Sequence, residues 1–253
     1  MRILLPPSET KRDGGADAPL ALEALSFPTL TTAREQTLAA LGELSLDGEA
    51  MKLALKLGPR QDAEVDRNRV LQSAPTMAAI DRYTGVLFDA LDAPSLDAAA
   101  REFACRTVVV HSALLGLVGA LDPVPAYRLS HDSKLPGLRL KAHWRGPIAH
   151  VLDDEAGLII DLRSEGYAEL GPAPVRPGSV YVRVVSIDGT GRKRALNHFN
   201  KQAKGRFTRA VLEGRPELDT LDELLDWADT EGLSMRLGED RSPTLPREAE
   251  LVA

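Results

Sequence analysis

The sequence predicts a mixed α/β fold (α+β) in which helices surround a single mixed sheet. Short apolar runs bounded by turn residues, which are typical of buried strands, are one observation behind this prediction. The other is a set of longer segments rich in Ala, Leu, Glu and Arg, with apolar residues at three- and four-residue spacing, which is typical of helices. The two kinds of segment interleave without a regular βαβ repeat or a low-complexity linker. Residues 1–253 are therefore expected to form one domain.

The first part of the chain is predicted to begin with a strand and to continue with helices. Residues 2–5 form a short apolar run that Pro6-Pro7 ends, and residues 8–20 are polar and rich in Gly and Pro, which indicates a loop. Helical spacing of apolar residues then covers three segments, which are 30–44, 47–57 and 62–72. Residues 76–91 are expected to continue as short helices around Tyr83-Thr84-Gly85.

The rest of the chain alternates more evenly between strands and helices. Buried strands are expected at 107–111, 126–129 and 158–162, with a glycine-containing loop at 112–122. Two hairpins are expected, one pairing 179–187 with 193–198 around residues 188–191, and one at a sheet edge from 233–237 and 248–252. Helices are expected at 141–154, 199–212 and 219–230.

Positive charge is concentrated in one stretch of an otherwise acidic chain. The net charge is −6, yet residues 192–209 hold seven of the 31 Lys and Arg and none of the 37 Asp and Glu. This stretch is called the basic segment below. A solvated basic face is the alternative, but such faces usually carry acidic residues four positions away, and this one has none within it. The segment is therefore expected to meet an anion.

A helical projection of the basic segment separates an apolar stripe from a row of cations. The stripe consists of Phe199, Ala203, Phe207, Ala210 and Val211. The cations expected on the opposite, exposed face are Lys201, Lys204 and Arg209, with Arg206 at the border. Gly205 falls on the same face, where a glycine costs about 1 kcal/mol relative to alanine, and close approach of a ligand would explain it. Arg192 and Arg194 on the preceding hairpin extend the expected anion-binding surface.

Other polar clusters give weaker indications. Ser8, Thr10 and Lys11 follow the first strand, where ligands gather in open α/β sheets, so they are candidates for holding a phosphate or carboxylate or, alternatively, for capping a turn. A Ser–His hydrolase is disfavoured, because the adjacent His111 and Ser112 would point to opposite faces of a strand.

Metal and cofactor binding are not predicted. His143, His150 and Asp154 share a helical face, but Pro147 disturbs their register. The sequence contains no Cys pair, no His-Glu-x-x-His, no Walker A loop and no Gly-x-Gly-x-x-Gly.

Cysteine content and hydropathy bear on the compartment. The single cysteine, Cys105, excludes an internal disulfide and is expected to be a buried structural thiol. Apolar runs are too short for a signal peptide or a membrane span, so a cytoplasmic protein without a membrane partner is expected.

Six blocks, in one order over nearly the whole chain, resemble the YaaA family of bacterial peroxide stress proteins. The blocks are Ile3-Leu4-Leu5-Pro6-Pro7-Ser8-Glu9-Thr10-Lys11, Tyr83-Thr84-Gly85, Ser112-Ala113-Leu114-Leu115-Gly116-Leu117 through Leu121-Asp122-Pro123, Tyr127-Arg128-Leu129, Trp144 with Asp161-Leu162-x-Ser164 and Tyr167, and Lys201-x-Ala203-Lys204-Gly205.

The resemblance implies protection against hydrogen peroxide through lower free iron and less iron-driven damage to DNA. It also implies a single α/β domain with a positively charged cleft and binding of duplex DNA, partly through a helix-hairpin-helix element. The nearest helical candidate is 53–65, whose turn has Gly58 but lacks the second glycine of that motif. Lys52, Lys56 and Arg60 are the candidate second DNA contact.

Two principal functions remain open on the sequence. The first is a non-enzymatic protein that binds duplex DNA through the phosphate backbone. The second is an enzyme for a small phosphorylated or carboxylated substrate, with a candidate pocket made of Ser8, Lys11, Tyr83, Thr84, Ser112, Arg128 and Ser164. A third hypothesis, an iron-sequestering protein, lacks a plausible ligand cluster in the sequence. The enzyme hypothesis predicts that the pocket residues converge on one site.

Overall fold

The computed structural model describes residues 1–187, 193–195, 198–239 and 242–252, and its architecture is the predicted mixed α/β fold. The strands are β1 (Arg2–Leu5), β2 (Thr76–Ala78), β3 (Val108–Ser112), β4 (Gly116–Gly119), β5 (Pro123–Pro125), β6 (Ile159–Asp161), β7 (Ser179–Ile187), β8 (Lys193–Ala195), β9 (Met235–Leu237) and β10 (Arg247–Val252). The helices are α1 (Thr31–Ser45), α2 (Gly48–Leu55), α3 (Asp62–Arg69), α4 (Ala79–Arg82), α5 (Val86–Leu91), α6 (Ala98–Thr107), α7 (Leu140–Asp153), α8 (Glu165–Ala168), α9 (His198–Gly214) and α10 (Leu221–Thr230). None of these helices is long and apolar enough to cross a membrane.

One mixed sheet organises the described part of the chain, with strand order β4-β3-β1-β6-β7-β10-β9 and β8 paired to β7. The strands β3, β1, β6, β7 and β10 run parallel, whereas β4, β8 and β9 are antiparallel to their neighbours. From β1 the chain passes first to β3 on one side and later to β6 on the other. The order of the strands therefore reverses at β1, and ligands of open α/β sheets bind at such a reversal, beyond the carboxyl ends of the strands.

The central strands are buried on both faces, as expected for parallel strands that helices cover. Ile3, Leu4 and Leu5 of β1 are fully buried, and β3 and β6 are buried along their whole length. The indole of Trp144 on α7 donates a hydrogen bond from Nε1 to the carbonyl of Ala113 at 2.9 Å. Its ring packs where a Cβ on Gly116 would lie only 2.8 Å away, so Gly116 permits α7 to cover the sheet. Gly116 also has a φ of 65°, which favours glycine.

Most predicted elements are confirmed, and the errors are local. The predicted strand at 126–129 is wrong: the strand is β5, which pairs with β2 in a separate two-stranded sheet, and residues 126–129 are buried without a strand assignment. The predicted loop at 112–122 contains β4, which folds back on β3. The final hairpin is confirmed, but only β9 lies at the edge, because β10 also pairs in parallel with β7. Residues 188–192 and 196–197 of the predicted hairpin lie outside the described residues.

The expected burial of Cys105 is wrong, because the thiol is exposed. Cys105 lies in α6, a helix that the sequence did not predict, and the buried face of α6 is formed by Ala100, Phe103, Ala104 and Thr107. The residue following Ala104 points away from that face, which places the thiol in solvent.

Candidate functional site

Three polar loops lie at the carboxyl edge of the sheet, beside the reversal of strand order. Residues 8–11 follow β1, Ser112 ends β3, and Ser164 lies just beyond β6. Because β1 pairs with both β3 and β6, the ends of these strands are neighbours. The candidate site is therefore built where the topology favours ligand binding.

Lys11 is the centre of this site. Its ammonium Nζ donates hydrogen bonds to the carbonyl oxygens of Ser8 at 2.9 Å and Glu9 at 3.4 Å. The same atom lies 4.1 Å from the ring centroid of Tyr127 and 5.3 Å from that of Tyr83. The side chain is buried. Burial, and next the positive charge of Arg128, lower the pKa of Lys11 to about 7. Lys11 can therefore gain or lose a proton near neutral pH.

A chain of hydroxyl groups lies beside Lys11. The Ser112 and Tyr127 hydroxyls are 2.6 Å apart, and those of Tyr127 and Tyr83 are 2.8 Å apart. Ser112 Oγ already accepts two backbone N–H bonds, from Leu114 at 3.1 Å and Leu115 at 2.9 Å. A hydroxyl oxygen has two lone pairs and one proton. Ser112 therefore donates to Tyr127, and a further hydrogen bond, in which either hydroxyl can be the donor, joins Tyr127 to Tyr83. Burial raises the pKa of both tyrosines, which keeps the phenols protonated.

Arg128 adds a second cation to the site. Its Nη2 donates to Glu9 Oε2 at 2.7 Å. The backbone of Arg128 is held on both sides by the amide of Asn68: Arg128 N donates to Asn68 Oδ1, and Asn68 Nδ2 donates to the Arg128 carbonyl, each at 2.8 Å. The Arg128 side chain is thus anchored at its base, next to Lys11.

Three hydroxyl groups form the outer layer of the site. Thr84 Oγ1 donates to Thr10 Oγ1 at 3.0 Å, and the Ser8 and Thr10 hydroxyls are 3.2 Å apart. A Cβ on Gly85 would lie 3.2 Å from Ser8 Oγ, so the glycine leaves room for this cluster. Gly85 has a φ of 93°, which side chains rarely adopt.

The predicted pocket residues mostly come together. Ser8, Lys11, Tyr83, Thr84, Ser112 and Arg128 join one connected group through the contacts above. Ser164 does not join it by a described bond; it precedes α8 at the next loop with its side chain exposed. Two further members of this group, Tyr127 and Glu9, were not among the predicted pocket residues. Both lie inside the blocks that resemble the YaaA family, and that position was the only signal for them in the sequence.

A second buried polar group lies beyond β6. Arg163 is fully buried, and its guanidinium binds both carboxylate oxygens of Asp161, at 2.8 and 2.6 Å, and His111 Nδ1 at 2.9 Å. Burial, followed by the charge of Arg163, holds the pKa of His111 well below its usual value, so the imidazole is neutral. Lys204 on α9 donates to the Arg163 carbonyl at 3.4 Å, and burial lowers its pKa to about 8.

The expected exposed face of α9 is wrong for two of its residues. Lys204 and Gly205 are buried, whereas Lys201 and Arg206 are exposed. A Cβ on Gly205 would lie 2.2 Å from the carbonyl oxygen of Leu87, so the glycine permits α9 to pack against α5 rather than a ligand to approach. At the other end of the predicted stripe, Phe199 is exposed rather than buried.

Arg209 is engaged within the fold. It donates to the carbonyls of Leu91 at 3.0 Å and Asp92 at 3.1 Å, which end α5, and pairs with Glu213 at 2.8 Å. Arg192 lies outside the described residues, and of Arg194 the structure describes only its backbone in β8.

The candidate helix-hairpin-helix is formed by α2, α3 and their turn. Its cations have acidic partners: Lys52 pairs with Glu49 and Asp62, at 3.0 and 2.8 Å, and Lys56 with Asp132, at 2.5 Å, while Arg60 is exposed. Turn amides that would face a phosphate in such a motif donate within the turn. Those of Lys56, Leu57 and Gln61 bind backbone carbonyls, and that of Gly58 binds a side chain. A surface hollow of about 750 Å³ lies here, lined by Glu49, Lys52, Leu53, Lys56, Leu57, Pro59 and Asp62.

Within the described residues, no group of three His, Cys, Asp or Glu side chains is arranged to hold a metal ion. His143 instead contacts Thr37 Oγ1 and the Ala33 carbonyl, both at 2.9 Å from its Nε2. His150 lies 3.9 Å from Asp154 at the surface.

Comparison with known proteins finds a family model and relatives that each match most of this chain. Residues 1–237 match a family model described as peroxide stress protein YaaA. A UPF0246 protein of Corynebacterium efficiens is 44% identical, over 97% of this chain and 98% of its own. A UPF0246 protein of Streptomyces coelicolor is 45% identical, over 84% of this chain and 83% of its own. An uncharacterized protein of Campylobacter jejuni is 26% identical, over 81% of this chain and 82% of its own.

Proposed function

The chain belongs to the peroxide stress protein YaaA family, and from this premise we propose that it serves the peroxide response as an enzyme on a small phosphorylated or carboxylated substrate. The observation that carries this proposal is the convergence of five other predicted pocket residues around Lys11. They come from separate stretches of the chain, and a hydrogen-bonded group of this kind has no role in coating a DNA surface. Polar side chains that meet beside a pKa-shifted residue are typical of ligand and active sites.

The chemistry expected of the site is proton transfer at neutral pH. Arg128 would bind the anionic group of the substrate, because a guanidinium matches carboxylate and phosphate oxygens. Lys11, with a pKa of about 7, would accept or donate the proton, since acid–base catalysis is most effective when the pKa lies near the working pH. The hydroxyl chain of Ser112, Tyr127 and Tyr83 would hold the Tyr127 ring against Lys11.

The test is a ligand screen by thermal shift, using phosphorylated and carboxylated metabolites with unmodified protein, Lys11→Met and Arg128→Gln. The control is Arg106→Gln, which removes a cation from an exposed pair with Glu102. We expect at least one compound to stabilise the unmodified and control proteins but neither site variant. If every stabilising compound acts equally on all four proteins, the site does not bind anions.

A second candidate function is the binding of duplex DNA through a basic cleft. Lys201 and Arg206 are exposed on α9, in a segment without acidic residues, and support this proposal. Such contacts would bind phosphates without reading bases. Bound protein would shield DNA from iron-driven oxidation and so limit damage.

The test of DNA binding is a titration of duplex DNA at about 50 and about 200 mM salt. Removing both cations in Lys201→Ala/Arg206→Ala should reduce the salt dependence by about two phosphate contacts. Arg106→Ala serves as the matched surface control. Absence of binding by unmodified protein at the lower salt concentration would rule out this function.

Survival of peroxide by a deletion strain separates the two proposals, with chelatable iron measured in the same cells. If an enzymatic activity protects the cell, we expect Lys201→Ala/Arg206→Ala to restore peroxide survival and Lys11→Met to fail to restore it. The reverse pattern is expected if DNA binding protects the cell. A cytoplasmic location, where both ligands occur, is part of either proposal, and cell fractionation tests it.

A further inference from the structure

We propose that the Glu9 carboxylate is an internal substitute for the substrate's anionic group: it occupies Arg128 when the site is empty and is displaced when the substrate binds. This inference rests on the proposed function, and it identifies the subsite for the substrate's carboxylate or phosphate.

The two partners of this ion pair differ in how firmly they are held. The Arg128 side chain is only 11% exposed, whereas the Glu9 side chain is 63% exposed, and a distance of 2.7 Å joins Arg128 Nη2 to Glu9 Oε2. The main chain of Arg128 is fixed by both polar atoms of the Asn68 amide. The cation is therefore a prepared receptor, and the carboxylate is the partner that can leave.

Displacement of Glu9 would not dismantle the loop. Lys11 is bound to the backbone carbonyls of Ser8 and Glu9, not to the Glu9 carboxylate. The Glu9 side chain can therefore rotate into water while the Lys11 contacts stay in place. An exposed carboxylate regains its hydration when it leaves, so the exchange costs little.

The need for such a substitute follows from the electrostatics of the empty site. Arg128 and Lys11 repel one another, and Arg67 adds to this repulsion, while Glu9 and Glu64 oppose it. A nearly buried guanidinium without a partner is strongly unfavourable. Glu64 is already held by Arg67 in two hydrogen bonds of 2.8 and 2.9 Å. Of the two carboxylates, Glu9 is the one that contacts Arg128.

Calorimetric titration with inorganic phosphate and with succinate, at neutral pH, tests the inference on unmodified protein, Glu9→Gln, Arg128→Gln and Glu102→Gln. The last variant removes an equal charge from an exposed pair with Arg106 and controls for net charge. We expect Glu9→Gln to bind at least one probe about fivefold or more tightly than the unmodified protein, a gain of the size expected for a partly exposed ion pair. Glu102→Gln should bind as the unmodified protein does, and Arg128→Gln should not bind.

The outcomes separate the inference from the proposed function. If the unmodified protein binds a probe, Arg128→Gln does not, and Glu9→Gln binds no more tightly than the unmodified protein, the inference is overturned but the anion site remains. Equal tightening in Glu9→Gln and Glu102→Gln also overturns it, because net charge then explains the effect. No binding of either probe by any variant overturns the anion site itself. Binding by Glu9→Gln alone supports the inference in its strongest form.

A second measurement keeps the test valid if Arg128→Gln does not fold. Protein labelled with ¹³C at lysine Cε reports the titration of Lys11, whose signal is identified by its absence in Lys11→Arg. Glu9 raises the pKa of Lys11, so Glu9→Gln should titrate at lower pH, and phosphate should reverse this change. If Lys11 in Glu9→Gln titrates at the same pH with and without phosphate, the phosphate and the Glu9 carboxylate do not share one subsite.

Discussion

The contact between α5 and α9 at Gly205 gives a prediction whose size follows from the structure. In Gly205→Ala, the new Cβ would lie 2.2 Å from the Leu87 carbonyl oxygen and 2.8 Å from the Ala90 Cβ. Real Cβ atoms essentially never approach closer than 3.0 Å, so α9 must retreat from α5 by about 0.8 Å. The obstacle is helix backbone, which no rotamer change can relieve. Overpacking of this kind costs about 1–3 kcal/mol, and more where backbone must move. The gain in helix propensity of about 1 kcal/mol offsets part of it.

The expected net loss is about 2 kcal/mol, which for a chain of this length lowers Tm by roughly 4–8 °C. Gly42→Ala in α1 is the matched control, because its Cβ would meet nothing within 4 Å. That variant should gain up to about 1 kcal/mol. Urea and thermal unfolding, followed by circular dichroism, measure both. If Gly205→Ala is as stable as Gly42→Ala but loses DNA binding, the glycine serves ligand approach and the packing argument is refuted.

Three further predictions concern charged groups. The pKa of Lys11 is about 7 in the folded state against 10.5 in the unfolded state, so the unfolded chain binds more protons between these pH values. The free energy of unfolding should therefore rise with pH across that range, and Lys11→Met should lack this slope. Urea unfolding at several pH values measures both proteins, and parallel pH profiles would contradict the assignment. Asp161→Asn leaves the Arg163 guanidinium buried without its counter-charge and should cost about 3–5 kcal/mol in urea unfolding. Arg209→Ala should lower the free energy of unfolding by about 1–2 kcal/mol, because it removes hydrogen bonds to the end of α5. Its affinity for duplex DNA in a gel shift should stay within about twofold of that of the unmodified protein. A tenfold loss of affinity would show that Arg209 contacts DNA.

Local patterns predicted the elements well wherever tertiary pairing did not decide the outcome. The strand β1 and the helices α1, α7 and α9 follow from apolar spacing and Pro or Gly boundaries. The strand β4 could not be predicted in this way, because Gly-Leu-Val-Gly has a weak strand pattern and becomes a strand by pairing with β3. Residues 126–129 have the opposite problem: Tyr127 and Leu129 alternate with other residues as in a strand, yet β2 pairs with the segment just before them.

The burial of Lys204 shows why a one-sided helical projection fails on α9. A projection assumes one apolar face toward the core and one polar face toward water. Here Phe207 and Val211 face the core, while Gly205 packs on α5 and Lys204 reaches the Arg163 carbonyl beyond β6. The helix is covered on more than one side, and the second contact involves a glycine and a lysine, which no hydropathy pattern identifies as buried.

The pocket residues could be named from the sequence, but their proximity could not. Ser112 and Tyr83 are far apart along the chain and meet only because β5 pairs with β2 and thereby positions Tyr127 between them. That pairing forms the small second sheet, and the segments 76–78 and 123–125 are too short for their sequence to predict it. The resemblance to the YaaA family supplied the residue identities, and the topology supplied the reason for their convergence.

The buried Lys11 favours a chemical role over a purely electrostatic one. Burial of an ammonium group opposes folding, which is why its pKa falls from 10.5 to about 7. A protein that needed only to attract phosphates would keep its cations in water, where charge is retained at no such cost, as Lys201 and Arg206 are. A methionine at position 11 would fill the same space without the desolvation cost. This cost supports the proposed reaction, in which Lys11 would exchange its proton near neutral pH, and the stability that Lys11→Met is expected to gain below pH 7 would measure what burial of the lysine costs the fold.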